Sequence, residues 1–333
     1  VILIIACQQG REERNVAFSA SNALCELTKN CLPTLVFQEY LEWIANIPSQ
    51  QAYNIAPVWS SIDGMLFHNS SLAAVLLREQ QTLLATVNIA PSSSPAPHDG
   101  DSDGRTDWRC HFFSILTAVA DAAGAAGAAG AAGAAGAAAA HPTGRENDEH
   151  DLRNISTTFL HDYFTTHFDQ LLYVLRDSTH MNVIYKCLLF FLSLGRHIKY
   201  QAITGNQMLR DLGIEILRLF TMGGAQQVPS IQETTISLLC MFLNRGTPGQ
   251  LLVDIGITNV LCTTPHHTDM ILSKSLELFQ NLCQATQAFY QASIAPQVLQ
   301  FICSTLIQLT TDPIPPEADM YVKSLLLKTV NTL

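Results

Sequence analysis

The chain has 333 residues, of which 48% are apolar and only 14% carry a charged side chain. Such a composition can bury a large core, which excludes a wholly disordered chain. The formal net charge is −10, with 18 lysines and arginines that form no cluster. Because nucleic-acid binding needs a positive surface that replaces counterions, this balance argues against direct DNA or RNA binding.

The cysteines and the apolar runs bear on the cellular compartment. Nine cysteines occur without any CxxC pair, and most lie in apolar helical patterns such as SLLCMFL (237–243). This pattern is typical of reduced, buried thiols in an intracellular protein, cytoplasmic or nuclear, and not of a disulfide framework or a zinc site. The apolar run at 1–7 is far shorter than the ~20 residues of a spanning helix, so we expect no membrane insertion. Because Leu333 lies within an apolar helical pattern, we expect the chain to be a fragment of a longer protein.

The stretch DGDSDGRTDWRC (99–110) has the spacing that opens an EF-hand calcium loop. Counted from Asp99, position 12 is Cys110, where the loop requires a Glu that supplies two carboxylate oxygens. The prolines just upstream also exclude the helix that should enter such a loop. We interpret the stretch as a solvated acidic loop and expect neither calcium binding nor another metal or cofactor.

Residues 91–150 differ from both flanks, and we interpret them as an insertion. A run rich in Pro, Ser and Asp is followed by Ala-Ala-Gly repeats, and each Gly weakens a helix by about 1 kcal/mol. We therefore predict a flexible, weakly helical tether. Within it, the apolar patch WRCHFFSILTAVADA predicts one helix near 108–120 that docks on the core. The predicted domains are thus helical repeats at 1–90, the insertion at 91–150 and further helical repeats at 151–333.

Both flanks have the periodicity of helices. Apolar residues recur at three- and four-residue intervals, and alternating runs that would indicate strands are scarce. Turns that contain Gly and Pro, such as RGTPG and TDPIPP, separate the periodic segments. The pattern predicts an all-α protein. The predicted helices are 17–30, 34–47, 71–89, 152–176, 181–194, 206–221, 231–244, 269–284, 296–311 and 318–333.

Two segments of the C-terminal half repeat. ISLLCMFLNRGTPGQLLVDIG (236–256) and LELFQNLCQATQAFYQASIA (276–295) each run from an apolar helix through a polar turn into a short apolar helix. Their offset is about 40 residues, as in armadillo and HEAT repeats. GQLLVDIGITNVL (249–261) resembles the first two helices of an armadillo repeat, and SLELFQNLC (275–283) resembles its long third helix, with Asn281 at the Asn position. The resemblance implies an armadillo-like α-solenoid of stacked helical repeats.

In an armadillo stack the third helices line the concave face, so their polar sides are the candidate binding site. On helix 269–284 the polar residues recur at three- and four-residue intervals, and the repeat offset maps them onto the preceding repeat. The candidate groove residues are Lys274, Glu277, Asn281, Gln284, Thr234, Ser237 and Asn244. We expect Glu277 to favour a cationic residue of a partner. The alternative interpretation is that both stripes are ordinary solvated helix faces.

Motifs that carry catalysis are absent. The chain has no nucleophile elbow, Walker loop or HExxH motif, and we interpret the pair His266 and His267 as part of a solvated turn. The resemblance therefore implies a non-enzymatic scaffold or adaptor that binds another protein. The alternative is a nuclear-transport-type peptide or cargo receptor similar to importin-α-like proteins, although Glu277 stands where that family has Trp. An enzyme with an unrecognised site is the remote alternative.

Overall fold

The structure is a computed structural model, and it describes most of the chain between residues 14 and 285. Of the predicted helices, 296–311 and 318–333 lie almost entirely outside the described residues. So do the first residues of the acidic loop, including Asp99. The described residues are 14–30, 33–45, 56–85, 87, 107–136, 144–176, 180–197, 205–244, 249–264, 266, 268–285, 300–301, 323–324 and 327.

The described part of the chain is helical and contains no strand, which confirms the all-α prediction. None of the helices found there is both long enough and apolar enough to span a bilayer. The helices are α1 Arg14–Asn30, α2 Pro33–Ala45, α3 Ala56–His68, α4 Leu72–Ala85, α5 Trp108–Gly136, α6 Gly144–Arg176, α7 Met181–His197, α8 Asn206–Ala225, α9 Pro229–Asn244, α10 Gly249–Asp254, α11 Ile257–Thr263 and α12 Asp269–Ala285.

The chain separates into two compact units, Val1–His197 with α1 to α7 and Ile198–Leu333 with α8 to α12. The predicted domain boundaries after residues 90 and 150 stay predictions, and neither coincides with the separation between these units. Helices predicted from 17–30 to 269–284 are present, most with their ends shifted by a few residues. Helix α6 begins eight residues before the predicted start at 152, and α5 continues sixteen residues beyond 120. Helix α3 has no counterpart among the predicted helices.

Helix α5 forms the centre of the first unit. Its first half contributes Phe112, Phe113 and Leu116, all fully buried, and it packs against α3, α4, α6 and α7. The ring of Phe112 lies 5.1 Å from that of Trp59 and 6.3 Å from that of Tyr163, between centroids. The backbone stays helical to Gly136, through the repeats for which we predict a weakly helical tether.

The start of α5 is fixed by Asp107. Its carboxylate accepts hydrogen bonds from the backbone N–H of Arg109 at 2.9 Å and from the Arg109 guanidinium at 2.6 Å. Burial raises the pKa of the Asp107 carboxyl. The hydrogen bonds from Arg109 and its charge together have a larger, opposite effect, so the pKa lies below its ordinary value. The Asp107 carboxylate therefore caps α5. Asp107 is the ninth residue counted from Asp99, and a calcium loop would use these same oxygens at that position.

Helix α3 forms in spite of its composition. It contains Ser60 and Gly64, neither of which favours a helix interior, whereas Pro57 lies in the first turn, where proline is tolerated. Burial explains the helix, because Val58, Trp59, Ile62, Met65 and Leu66 recur at helical spacing and are all buried. Gly64 permits close packing on α1, since a methyl group there would lie 2.5 Å from Cys25 Sγ.

In the second unit α8, α9 and α12 pack in series, α8 against α9 and α9 against α12. The short helices α10 and α11 precede the long α12, in the order that the armadillo resemblance implies. The turn between α10 and α11 places Gly256 at a φ of 89°, which a residue with a side chain adopts only at a cost. This part of the chain is compatible with a helical repeat.

Helix α8 ends at a strained residue. After Ala225 the backbone N–H of Gln226 donates to Met222 O at 2.9 Å, and that of Val228 donates to Gly223 O at 2.8 Å. This closure places Gln227 at a φ of 55°, in the left-handed region that favours glycine.

We predict that Gly64→Ala destabilises the first unit by about 1–3 kcal/mol, because the added methyl group overpacks the contact between α1 and α3. This cost exceeds the gain of about 1 kcal/mol in helix propensity. Cys25→Ala removes the opposing sulfur, so Gly64→Ala should destabilise the Cys25→Ala variant much less than it destabilises wild type. Urea denaturation of all four proteins gives the coupling energy. Costs that simply add would show that Gly64 is not packed against Cys25.

We further predict that Gln227→Gly raises the free energy of unfolding by about 0.5–1 kcal/mol, because glycine adopts a positive φ without steric cost. Gln226→Gly is the matched control. Gln226 is also exposed but has a φ of −93°, so the same change there should be neutral or destabilising. Thermal denaturation of the two variants checks the difference, and an equal effect at both positions would contradict the strain at Gln227.

Candidate functional site

The structure brings four of the seven predicted groove residues together. Ser237 and Asn244 of α9 and Lys274 and Glu277 of α12 line one groove of about 310 Å³, which we call the second-unit groove. A hydrogen bond between the two helices joins Lys274 to Ser237, 37 residues apart in the sequence. The alignment of the two polar stripes at an offset of 40 residues stays a prediction.

The other three predicted residues do not line this groove. Thr234 is only 6% exposed, and its hydroxyl donates to Ser230 O of the same helix at 2.8 Å. Asn281 is half-buried further along α12, and the side chain of Gln284 lies outside the described part. The repeat offset maps Lys274 onto Thr234. The Lys274 Nζ instead donates a hydrogen bond to Ser237 Oγ of α9 at 2.5 Å.

The second-unit groove contains one engaged cation and one open anion. The ammonium of Lys274 is held by the Ser237 hydroxyl, whereas Glu277 is exposed and forms no ion pair with a described residue. Cys240 lies between them, and burial, followed by the charge of Glu277, raises the pKa of its thiol to about 12. The thiol is therefore protonated at neutral pH, and the groove can offer hydrogen bonds and one negative charge.

A larger groove lies in the first unit, where the sequence predicts no site. It has a volume of about 480 Å³ and is lined by α1, α3, α5 and α7. We call it the first-unit groove. Its ionisable and aromatic side chains include Asp63, Phe67, His111, Asp121 and Lys186.

Two carboxylates of the first-unit groove join neighbouring helices. Asp63 Oδ2 of α3 lies 2.8 Å from His111 Nδ1 of α5. Asp121 Oδ1 of α5 accepts a hydrogen bond of 2.5 Å from the Ser193 hydroxyl of α7 and lies 3.6 Å from His197 Nε2. The histidine, followed by the hydroxyl, holds the pKa of the Asp121 carboxyl below 3.8, against burial, which raises it.

Two further side chains of the first-unit groove, Phe67 and Lys186, are accessible to a ligand. Phe67 is 85% exposed, more than any other large apolar residue in the described part of the chain. Lys186 is half-buried and forms no ion pair with a described residue. The groove thus combines polar side chains that are held by hydrogen bonds with one apolar ring, Phe67, that is exposed to solvent.

The sequence contained a signal for the first-unit groove. His111, Ser114, Ala118 and Asp121 recur at three- and four-residue intervals on the helix predicted near 108–120, and all four line the groove. A polar stripe on an otherwise apolar helix indicates a face that is left out of the core. Asp63 and Phe67 lie on α3, which the sequence does not predict, so their contribution could not be found in this way.

His266 has a structural role that differs from our interpretation of a solvated turn. It is half-buried, its Nε2 lies 3.0 Å from Ser275 Oγ, and its ring lies 5.9 Å from that of Phe220. The buried Ser275 hydroxyl itself donates to Ile271 O, so it accepts from His266 and is not activated as a nucleophile. His267 lies outside the described residues.

Metal and thiol chemistry find little support in the described part of the chain. It contains no group of three or more His, Cys, Asp or Glu side chains that could hold a metal ion. Burial raises the pKa of the Cys110 and Cys262 thiols to about 11, and that of Cys187 well above the ordinary value. These three cysteines are therefore poor nucleophiles at neutral pH.

No model of a known protein family matches the chain, and no curated protein has a matching sequence. The armadillo resemblance therefore rests on the residues and helices described above.

We predict that Asp121 stabilises the first unit in a pH-dependent way. Its folded-state pKa lies below 3.8, so its contribution is present at neutral pH and is lost as the pH falls through the folded pKa. Denaturant unfolding should show wild type more stable than Asp121→Asn at pH 7, with the difference shrinking below pH ~4. Ser193→Ala should raise the Asp121 pKa and move this loss to higher pH. A difference that is constant with pH would contradict the assignment.

Proposed function

We propose that this chain is a non-enzymatic, armadillo-like scaffold or adaptor that binds a segment of another protein in the second-unit groove. The observation that carries the proposal is the convergence of four polar residues from two packed helices, Ser237 and Asn244 of α9 with Lys274 and Glu277 of α12, on one groove. The serial packing of α8, α9 and α12 supports it, because stacked helices present continuous surfaces to elongated partners.

The chemistry of the second-unit groove fits a polypeptide segment. The Asn244 side chain offers both a donor and an acceptor, as a peptide backbone requires. The exposed Glu277 favours Lys or Arg on the partner, and Met241 supplies an adaptable apolar contact. A volume of about 310 Å³ suits a few side chains of such a segment.

The broader scaffold function is better supported than a nuclear-transport-type peptide receptor. Trp43, Trp59 and Trp108 all belong to helices of the first unit, and none lines the second-unit groove. The buried thiols of Cys110 and Cys187 form no disulfide and favour an intracellular compartment, since thiols of secreted proteins are usually paired.

We predict that Glu277→Lys combined with Asn244→Ala, both exposed residues of the groove, weakens partner capture about fivefold or more, the loss typical of residues that dominate an interface. The melting temperature should change little, because exposed substitutions usually cost under ~0.5 kcal/mol. The measurement is a quantitative pull-down from the native cell with wild type and variant as baits. A partner captured equally by both would show that binding lies outside this groove.

Two controls separate binding from folding. Arg210→Glu reverses an exposed charge on α8, outside the groove, and should leave capture unchanged. Leu276→Asp buries an unpaired charge at a fully buried position of α12 and should unfold the repeat. If the Glu277 and Asn244 variant melted like Leu276→Asp, the assignment of the exposed faces of α9 and α12 would be wrong.

A further inference from the structure

We propose that the first-unit groove is a second docking site, and that its occupant is a basic segment of a partner protein with Arg or Lys beside an apolar side chain. The site is independent of the second-unit groove, since it lies on α1, α3, α5 and α7. Three observations carry the proposal: the charge of the groove, the orientation of the Asp121 contacts and the exposure of Phe67.

The charge of the first-unit groove complements a cation. Asp63 and Asp121 carry two negative charges and Lys186 carries one positive charge, which gives −2 + 1 = −1 with the histidines neutral. The whole chain has the same sign, with a formal net charge of −10. A basic segment is therefore attracted at long range as well as in the groove.

Asp121 has an oxygen available for that cation. The Ser193 hydroxyl and the His197 imidazole both contact Oδ1. Within the part of the chain that the structure describes, no residue forms a hydrogen bond or ion pair with Oδ2, although the charge of Arg196 also acts on the carboxyl, and the side chain is 54% exposed. The two existing contacts hold the carboxylate in place, so a partner ammonium or guanidinium would meet an ionised and oriented acceptor.

Phe67 supplies the apolar part of the site. Its ring is 85% exposed and lines the same groove, with His68 packed edge to face at 5.5 Å between ring centroids. An aromatic ring in this position gains by covering an apolar side chain, and its face also attracts a cation. The combination of Phe67 with Asp121 therefore selects a segment that is both apolar and basic.

Lys186 distinguishes this occupant from an acidic one. A basic segment is repelled by the Lys186 ammonium, so Lys186→Ala should strengthen its binding, by about twofold for a partly exposed charge pair. An acidic segment would instead use Lys186 as its main partner and would lose affinity on the same substitution. The sign of this one effect thus reports the charge of the occupant.

The test is a selection of short random peptides displayed on phage against the full chain, with counter-selection against the Asp121→Asn, Phe67→Ala double variant. We expect enriched peptides to carry Arg or Lys next to an apolar residue. Fluorescence anisotropy with an enriched peptide should show a loss of about fivefold or more for Asp121→Asn and for Phe67→Ala. It should show tighter binding to Lys186→Ala.

Controls address folding and location. Tyr173→Ala removes another exposed aromatic ring, 49% exposed on α6 and outside the groove, and should not change affinity. Glu277→Lys should also leave these peptides bound, so a failure of the second-unit proposal does not affect this one. If Asp121→Asn proved unstable, Phe67→Ala and Lys186→Ala, at an exposed and a half-buried position, would carry the test.

Three results would overturn the proposal. The first is enrichment of acidic peptides whose affinity falls with Lys186→Ala. The second is enrichment of purely apolar peptides that bind Asp121→Asn as well as wild type. The third is the absence of any peptide that distinguishes wild type from the double variant, which would mean that the groove does not dock a polypeptide.

Discussion

The apolar half of α5 packs against four other helices of the first unit, and the rest of that unit depends on its burial. Phe112 and Phe113 are fully buried there, and such side chains each contribute about 1.5–3 kcal/mol relative to exposure. Around Phe112 stand Trp59 of α3 and Tyr163 of α6, so one ring joins three helices that are distant in sequence. Removing α5 would take Trp108 and Phe112 away from Trp59, and Phe112 away from Tyr163.

The same helix that fills the core also builds the first-unit groove. One face of α5 carries His111 and Asp121, which bind Asp63 of α3 and Ser193 of α7 across the helix boundaries. These polar contacts lie at the edge of the apolar contacts and fix the rotation of α5 about its axis. A binding surface next to a rigid core is oriented before a ligand arrives, which lowers the entropic cost of association.

Each groove places an exposed carboxylate beside buried residues, and the two grooves differ in their exposed apolar surface. In each, one carboxylate faces solvent beside a buried stripe, Glu277 in the second unit and Asp121 in the first. Only the first-unit groove adds an exposed aromatic ring, Phe67. The overall charge of −10 attracts basic segments at long range, whereas within the second-unit groove Glu277 is accompanied by the opposite charge of Lys274.

The sequence by itself determined the helical class and the helix at 108–120, because periodicity is a property of the local pattern. The tertiary structure decided the rest. It alone gives α3, whose Ser60 and Gly64 disfavour a helix interior until burial of Trp59 and its neighbours stabilises one. It alone shows that Thr234 turns its hydroxyl onto its own helix and that Asp63 meets His111, 48 residues away. Contacts over such separations depend on how helices pack, which no periodicity within a single segment records.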